Sequence, residues 1–251
     1  MIQIHGHRGS RGTHPENILT SFKEAYEAGA NFFELDTHLS KDDVPIVFHD
    51  EKVGPRVCIG QIERPIRELT AAELTQIDCG SVPQATFPEQ KLCPGEKMAS
   101  LETILTWVAS TKPPFGVNIE IKMAAGDPAL FARKVYQLVE QKKLLDRAII
   151  QSFDFGPLVE TRRLDKKVFI SCLFDRAVDF VAEALKVGAN SIGPYFELLT
   201  KEIVDKAHQA NLKVIPWTVN QPKDWERLAA MGVDGIITDY PRKLLSHLRT
   251  K

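Results

Sequence analysis

The chain has 251 residues, of which 43% are hydrophobic, and this is enough for one large buried core. Its formal net charge is −1 and it has no basic run or stripe, which excludes the electrostatic footprint of a nucleic-acid-binding protein. No window approaches the roughly 18 apolar residues of a membrane span.

Short apolar runs alternate with helical patterns along the chain. Strands are predicted at Ile2–His5, Phe32–Thr37, Gly116–Ile121, Ala148–Ser152, Val168–Cys172, Asn190–Gly193, Leu212–Trp217 and Gly235–Thr238. Helices are predicted at Asn17–Ala28, Asp127–Lys142, Asp154–Leu164, Arg176–Val187, Lys201–Gln209 and Lys223–Met231. This alternation predicts a single α/β domain over residues 1–251, a (β/α)8 TIM barrel, with a doubly wound open sheet as the alternative.

The helix ends support successive β-α units. Asp127 before a proline and Asp154 before an apolar run are good start signals. Three helical patterns end in a glycine just ahead of the next strand, at Gly29, Gly188 and Gly232. Glycine accepts the left-handed conformation that terminates a helix.

A ninth strand-like run, Val44–His49, follows the second predicted strand. The connection between them is too short for a parallel crossover, so the two runs should form a hairpin. If its tip is Asp42-Asp43, Asp36 faces His49, and a slip of a residue or two still leaves the histidine near the carboxylate.

Residues 51–100, after the third strand-like segment, break the pattern. They are rich in Pro, Gly and polar residues, with one short helix at Ala71–Ile77, and we predict an insertion that caps the barrel mouth. Four cysteines (Cys58, Cys79, Cys93 and Cys172) have no CxxC spacing, and we expect reduced thiols in a cytoplasmic protein because no signal-peptide pattern follows Met1. A disulfide among the first three is the alternative for an exported protein.

Two buried-strand patterns carry charge at alternate positions. Glu34 and Asp36 share one face of a strand, as do Glu120 and Lys122. A carboxylate is rarely buried unless it is paired or binds a metal. The alternatives are a solvated face for the first two residues and an ion pair along the strand for the second two.

The first predicted strand runs into a glycine-rich segment that carries His7 and Arg8. In a parallel barrel the carboxyl ends of the strands build the active site, although a glycine-rich turn with incidental polar residues is an equal alternative. Taken alone, His49 fits a structural histidine and Trp217 a core residue.

Six segments together resemble the glycerophosphodiester phosphodiesterase family over nearly the whole chain, in the family's order and spacing. They are HGHRGSRGTHPEN, ELDTHLSKDDVPIVFHD, VNIEIK, QSFD, PWTVN and GVDGIITDYP. The resemblance implies a TIM barrel and the metal-dependent hydrolysis of glycerophosphodiesters to sn-glycerol 3-phosphate and an alcohol. Two residues depart from the family pattern: Ile18 stands where threonine is usual, and His5 where a small or apolar residue is usual.

Carried over motif by motif, the resemblance implies four groups of site residues. They are the catalytic histidines His7 and His49, the metal ligands Glu34, Asp36 and Glu120, the phosphate- and substrate-binding residues Arg8, Lys122 and Trp217, and the supporting residues Glu16 and Asn17. Carboxylate ligands favour Mg²⁺, Ca²⁺ or Mn²⁺ over zinc. Lys122 is therefore expected to contact phosphate rather than to neutralise Glu120.

Two other functions stay open. A lysophospholipase D-like enzyme would act on a lipid, whereas the insertion, with Phe87 as its only aromatic residue, favours a small water-soluble diester. A non-catalytic metal- or phosphate-binding barrel would keep the carboxylates without turnover. The expected partner is a small-molecule glycerophosphodiester, with no nucleic acid and no transmembrane segment.

Overall fold

A nearly closed barrel of eight parallel strands forms the centre of the molecule, whose computed structural model describes residues 2–60, 63–123 and 126–249. The strands are β1 (Gln3–Gly6), β2 (Phe32–Leu39), β3 (Gly116–Ile121), β4 (Ala148–Ser152), β5 (Phe169–Phe174), β6 (Ser191–Pro194), β7 (Lys213–Val214) and β8 (Gly235–Thr238). They pair in chain order from β1 to β7, and β8 pairs with β1. The Asp234 and Ile237 amides donate to the carbonyls of Val214 and Pro216, which links β8 to the chain at β7.

Eight helices follow these strands and cover the barrel. They are α1 (Leu19–Glu27), α2 (Leu101–Ser110), α3 (Pro128–Gln141), α4 (Phe155–Leu164), α5 (Phe180–Val187), α6 (Lys201–Gln209), α7 (Pro222–Met231) and α8 (Pro241–Arg249). The predicted TIM barrel is thus confirmed, and the open sheet is wrong. Within the part of the chain that the structure describes, no helix combines the length and apolar character that crossing a membrane requires.

The predicted start signals and glycine ends of the helices are confirmed, although α5 begins at Phe180 rather than at Arg176. The side chains of Asp127 and Asp154 accept hydrogen bonds from the amides of Ala129 and Gly156, which fixes the starts of α3 and α4. The three glycines Gly29, Gly188 and Gly232 have φ values of 84°, 70° and 82°, the left-handed conformation expected there.

Several boundaries differ from the prediction. The predicted strand Leu212–Trp217 is regular only at Lys213–Val214, and the short insertion helix ends at Leu74 rather than Ile77. Helices α2 and α8 were not predicted. In α2, Leu101, Ile104, Leu105 and Val108 are buried at helical spacing, so its signal was present in the sequence but lies at the edge of the irregular insertion.

The predicted hairpin is confirmed, with its register shifted by one residue. Pro45–Val47 pairs antiparallel with the end of β2, where Thr37 lies opposite Val47. The Phe48 amide donates to the Asp36 carbonyl, so Phe48 rather than His49 aligns with Asp36. The turn accounts for the shift, because Asp43 takes a positive φ of 60° and its amide donates to the Ser40 carbonyl.

The insertion has a small hydrophobic core of its own, formed with residues from the loop after β1 and the hairpin. This core contains Ile18, Ile46, Phe48, Val53, Val57, Cys58, Ile66, Leu69, Leu74, Cys79 and Met98. Ile18, one of the two departures from the family pattern, is therefore an apolar anchor of the insertion.

A disulfide joins Cys58 to Cys79 within this core, whereas Cys93 and Cys172 are free. The expectation of four reduced thiols is wrong for the first two, because the packing of the insertion brings their sulfur atoms together. The predicted cytoplasmic location stays a prediction.

Candidate active site

Three carboxylates meet at the carboxyl ends of β2 and β3. Glu34 and Asp36 point to the same face of β2, and Glu120 lies beside Asp36 in the parallel register of the two strands. One oxygen from each carboxylate lies within 4.8 Å of the other two, and all three residues are buried. The structure thus brings the three predicted metal ligands together.

The triad holds more negative charge than its neighbours neutralise. Burial and then the charges of Asp36 and Glu120 raise the pKa of Glu34 well above its ordinary value. Glu34 accepts a 2.9 Å hydrogen bond from the Arg8 amide and forms no ion pair within the described residues. Burial alone would raise the pKa of Asp36, but the positive charges of Arg8 and Lys122 outweigh it and hold that pKa far below its usual range. A set of buried, hard oxygen donors with surplus negative charge fits a divalent cation.

Lys122 forms an ion pair with Glu120, which was one of the alternatives that the sequence left open. Its Nζ lies 2.7 Å from Glu120 Oε1 and 3.3 Å from Asp36 Oδ1. Burial would lower the pKa of Lys122, but the two carboxylates outweigh it and raise that pKa. Burial raises the pKa of Glu120, which Lys122 offsets only in part. Lys122 therefore neutralises part of the triad and also lines the cavity described below.

Arg8, Glu16 and Asn17 form a polar layer beside the triad. Arg8 Nη1 donates to Glu16 Oε1 at 2.8 Å, and Arg8 Nε lies 3.3 Å from Asp36 Oδ2. Asn17 Nδ2 donates to Asp36 Oδ2 at 2.8 Å. Arg8 and Asn17 have positive φ values of 49° and 58°, so the glycine-rich segment turns sharply at both residues to aim them at Asp36.

His7 follows β1 and is held by a buried carboxylate from the end of β8. Its Nδ1 lies 2.7 Å from Asp239 Oδ1, and Asp239 Oδ2 accepts a 2.6 Å hydrogen bond from Asn220 Nδ2. Burial lowers the pKa of His7, which the charge of Asp239 offsets only in part. With Nδ1 bound, Nε2 is the nitrogen that remains for substrate.

His49 has the same hydrogen bond with a different support. Its Nδ1 lies 2.8 Å from Asp50 Oδ1. Arg56, which belongs to the insertion, donates two hydrogen bonds to Asp50 Oδ2, from Nε at 3.0 Å and from Nη2 at 2.6 Å. Burial would raise the pKa of Asp50, but the bonds to His49 and Arg56 lower it. The His49 side chain is 32% exposed, and its carbonyl contacts His38 Nε2 at 3.0 Å.

A cavity of about 390 Å³ connects these groups. Both histidines line it, together with the charged residues Arg8, Glu34, Glu120 and Lys122. The apolar part of the lining is formed by Phe153, Leu173, Trp217 and Ile237, and Gln151, Asp175 and Arg11 also line the cavity. Trp217 is fixed by a 2.7 Å hydrogen bond from Nε1 to the Gly193 carbonyl. The predicted site residues therefore either line one cavity or, like Asp36, Glu16 and Asn17, contact those that do.

His5, the other departure from the family pattern, does not belong to this cavity. Its ring is fully buried and stacked on Phe32, with 4.7 Å between the ring centroids. Burial lowers the pKa of His5 to about 3, so the ring is neutral. Its role is in packing the barrel interior.

Three residues that position the histidines, directly or through an aspartate, were not predicted from the sequence. Asp50 follows His49 directly, and Asp239 lies one residue past the last predicted strand, where a barrel builds its active site. Both carry a signal that could have been used. Arg56 lies in the irregular insertion, where nothing in the sequence distinguishes it.

Comparison with known proteins gives consistent matches. The model of the glycerophosphoryl diester phosphodiesterase family matches residues 7–243. The chain is 32% identical over 244 residues to the glycerophosphodiester phosphodiesterase of Caldanaerobacter subterraneus subsp. tengcongensis, with 97% of this chain and 96% of that protein covered. It is also similar to the solved structure of a Silicibacter pomeroyi protein assigned as a glycerophosphoryl diester phosphodiesterase, with a TM-score of 0.92, 28% identity, and 100% and 94% of the two chains covered.

A third match is a phosphodiesterase of Oleispira antarctica that was solved with its product sn-glycerol-3-phosphate. The TM-score is 0.85 at 24% identity, and 98% of this chain and 96% of that chain are covered. At this identity the likeness establishes the shared fold.

Proposed function

Because the chain belongs to the glycerophosphoryl diester phosphodiesterase family, we propose that it hydrolyses glycerophosphodiesters to sn-glycerol 3-phosphate and an alcohol, with a divalent metal ion and two histidines. Membership of the family makes it a phosphoric diester hydrolase. One observation carries the finer proposal: the carboxylate triad shares a cavity with two histidines whose Nδ1 atoms are each held by an aspartate.

Glu34, Asp36 and Glu120 would hold the metal ion. Oxygen-only ligation suits Mg²⁺, Ca²⁺ or Mn²⁺, and a bound ion supplies positive charge that neutralises the non-bridging phosphate oxygens in the transition state. Arg8 and Lys122 line the same cavity and add fixed positive charge beside the phosphate. Trp217 forms the wall against which the rest of the substrate lies.

We assign the general base to His7 and the general acid to His49. The lowered pKa of His7 keeps its imidazole neutral at neutral pH, the form that accepts a proton. His7 Nε2 takes the proton of the nucleophile, a water molecule or the neighbouring glycerol hydroxyl, as its oxygen bonds to phosphorus. The bond from phosphorus to the alcohol oxygen breaks, and His49 gives that oxygen its proton. With water the product is sn-glycerol 3-phosphate directly; with the hydroxyl it is a cyclic phosphate, which a water molecule then opens to sn-glycerol 3-phosphate with the two histidines in exchanged roles.

A lipid substrate is the second candidate. A further cavity of about 730 Å³ shares Phe153, Leu173 and Asp175 with the active-site cavity, and Phe155 and Val178 help to line it. Its apolar side chains would receive the acyl chain of a lysophospholipid, although Asp154, Asp175, Arg176 and Glu183 also line it. A lysophospholipase D-like activity would then use the same acid, base and metal ligands.

The deciding experiment measures choline release from glycerophosphocholine and from lysophosphatidylcholine, with and without EDTA. We expect metal-dependent turnover of glycerophosphocholine, restored after EDTA by Mg²⁺, Ca²⁺ or Mn²⁺. Glu34→Gln should weaken metal binding measured by calorimetry, whereas Glu202→Gln, an exposed carboxylate on α6, should not. Faster turnover of the lysolipid would favour the second candidate. Metal binding without release of choline from either substrate would revive the non-catalytic binding barrel.

A further inference from the structure

Two aromatic rings form a corner in the lining of the active-site cavity. The Phe153 and Trp217 ring centroids are 5.3 Å apart and the planes are nearly perpendicular, at 89°. The Phe153 side chain is 39% exposed, and both rings line the cavity. The corner therefore offers aromatic surface to whatever enters.

Asp175 lies beside this corner, immediately after β5. It lines the active-site cavity and the adjoining larger one, in both cases with Phe153. It is exposed, and among residues 2–60, 63–123 and 126–249 its carboxylate has no ion pair or hydrogen bond. The other acidic residues of the cavity, Glu34 and Glu120, belong to the triad.

An unpaired carboxylate is an unfavourable neighbour for a phosphodiester, which is itself an anion. Asp175 must therefore face a part of the substrate that is remote from the phosphate. Carboxylates and aromatic surfaces share one preference, which is for organic cations, since an ammonium group is attracted both to the negative charge and to the ring quadrupole.

We propose that Phe153, Trp217 and Asp175 form a subsite for the leaving alcohol, and that this subsite selects diesters whose alcohol is cationic, such as choline or ethanolamine. The inference rests on the proposed function and adds a substrate preference to it. The cavity then has a polar end for the glycerol phosphate and an aromatic, acidic end for the head group.

The test compares kcat/KM for glycerophosphocholine, glycerophosphoethanolamine and glycerophosphoglycerol, whose alcohol is neutral. Asp175→Asn should reduce the preference for the two cationic substrates over the neutral one by about three- to fivefold, the size of an exposed ionic contact. Phe153→Leu should reduce the preference for glycerophosphocholine by a similar factor. The matched control is Asp146→Asn, an exposed aspartate just before β4, at the opposite end of the barrel, which should leave the preference unchanged.

Free choline gives a second readout. It should inhibit the wild-type enzyme competitively, and Asp175→Asn should raise its inhibition constant by the same three- to fivefold, which is about 1 kcal/mol or less. An equal loss on all three substrates in Asp175→Asn would mean that the carboxylate binds glycerol hydroxyls and would overturn the inference. Absence of hydrolysis of every diester by the wild-type enzyme would instead refute the proposed function.

Discussion

The two histidine–aspartate pairs share one hydrogen bond but differ in what supports it. His7 and Asp239 come from the ends of the paired strands β1 and β8, and both are almost enclosed. His49 and Asp50 are consecutive residues after the hairpin, each about one third exposed, and Arg56 of the insertion holds the aspartate. The first pair is therefore a product of the barrel, and the second depends on a segment that packs around its own core.

This difference suits the two proposed roles. A base works best neutral and shielded, and burial provides both for His7. An acid beside the leaving alcohol has to allow that alcohol to depart, and the exposed position of His49 permits this. The barrel thus carries one proposed proton-transfer group, and the segment that leads into the insertion carries the other.

The largest expected effect separates base from acid. His7→Ala and His49→Ala should each lower kcat/KM for glycerophosphocholine by about 10²–10⁴-fold, while metal binding survives. With a glycerophosphodiester of 4-nitrophenol, a leaving group that departs without a proton, His49→Ala should recover most of its activity and His7→Ala should not. The measurement is steady-state kinetics on both substrates.

The reverse pattern would exchange the two roles. Full activity of both variants on glycerophosphocholine would remove the histidines from the mechanism. His5→Gln is not a suitable control because that ring is packed in the barrel interior, whereas His208→Gln alters an exposed histidine on α6.

Substitution of Asp239 or Asp50 should lower the activity less than substitution of the histidines, and the two losses should differ. In Asp239→Asn the amide oxygen should accept from Asn220 Nδ2, which turns the NH2 group toward His7 Nδ1. The wrong tautomer of His7 is then favoured, and kcat should fall by about 10²-fold or more, with little change in KM. Asp50→Asn should cost less, because His49 is partly solvated and water can replace the lost contact. Equal losses in the two variants would show that the barrel and insertion support their histidines equally well.

The site residues on the barrel strands could be predicted from the sequence, since the periodicity of apolar residues predicted the strands. Glu34 and Asp36 on β2 and Glu120 on β3 follow from side-chain alternation, and adjacency of the strands brings them together. Asp239 was equally accessible in principle, because a closed barrel places the end of β8 beside β1 and His7.

The features that depend on the hairpin and the insertion could not be predicted from the sequence. The hairpin register depends on Asp43 adopting a positive φ, which shifts His49 by one position relative to Asp36. Arg56 and the Cys58–Cys79 disulfide depend on tertiary packing within a segment that has no periodicity. The ion pair of Lys122 with Glu120 was foreseen only as an alternative, because residue spacing does not fix which partner a lysine chooses.

Loosening the insertion should affect His49 moderately. Arg56→Gln removes the ion pair with Asp50 and should lower kcat/KM by up to about fivefold, as expected for an exposed ionic contact.

Removing the disulfide should affect the stability of the protein. Cys58→Ala/Cys79→Ala should lower the free energy of unfolding by about 2–4 kcal/mol in denaturant titrations. Cys93→Ser, a free cysteine of the same segment, is the matched control. A stability unchanged by the double substitution would show that the insertion core holds without the disulfide.

The smallest effect is a shift in the titration of His7, followed by NMR of its imidazole. Burial should place the pKa of His7 below its ordinary value of 6.5 in the wild-type protein. The negative charge of Asp239 raises that pKa, so Asp239→Asn should lower it further, and the neutral ring should persist to lower pH. Activity that depends on neutral His7 should accordingly fall at a lower pH in the variant, even though its maximum rate is reduced. An unchanged pKa of His7 in Asp239→Asn would mean that the aspartate carries no negative charge in the native site, and the proposed electrostatic support of His7 would be wrong.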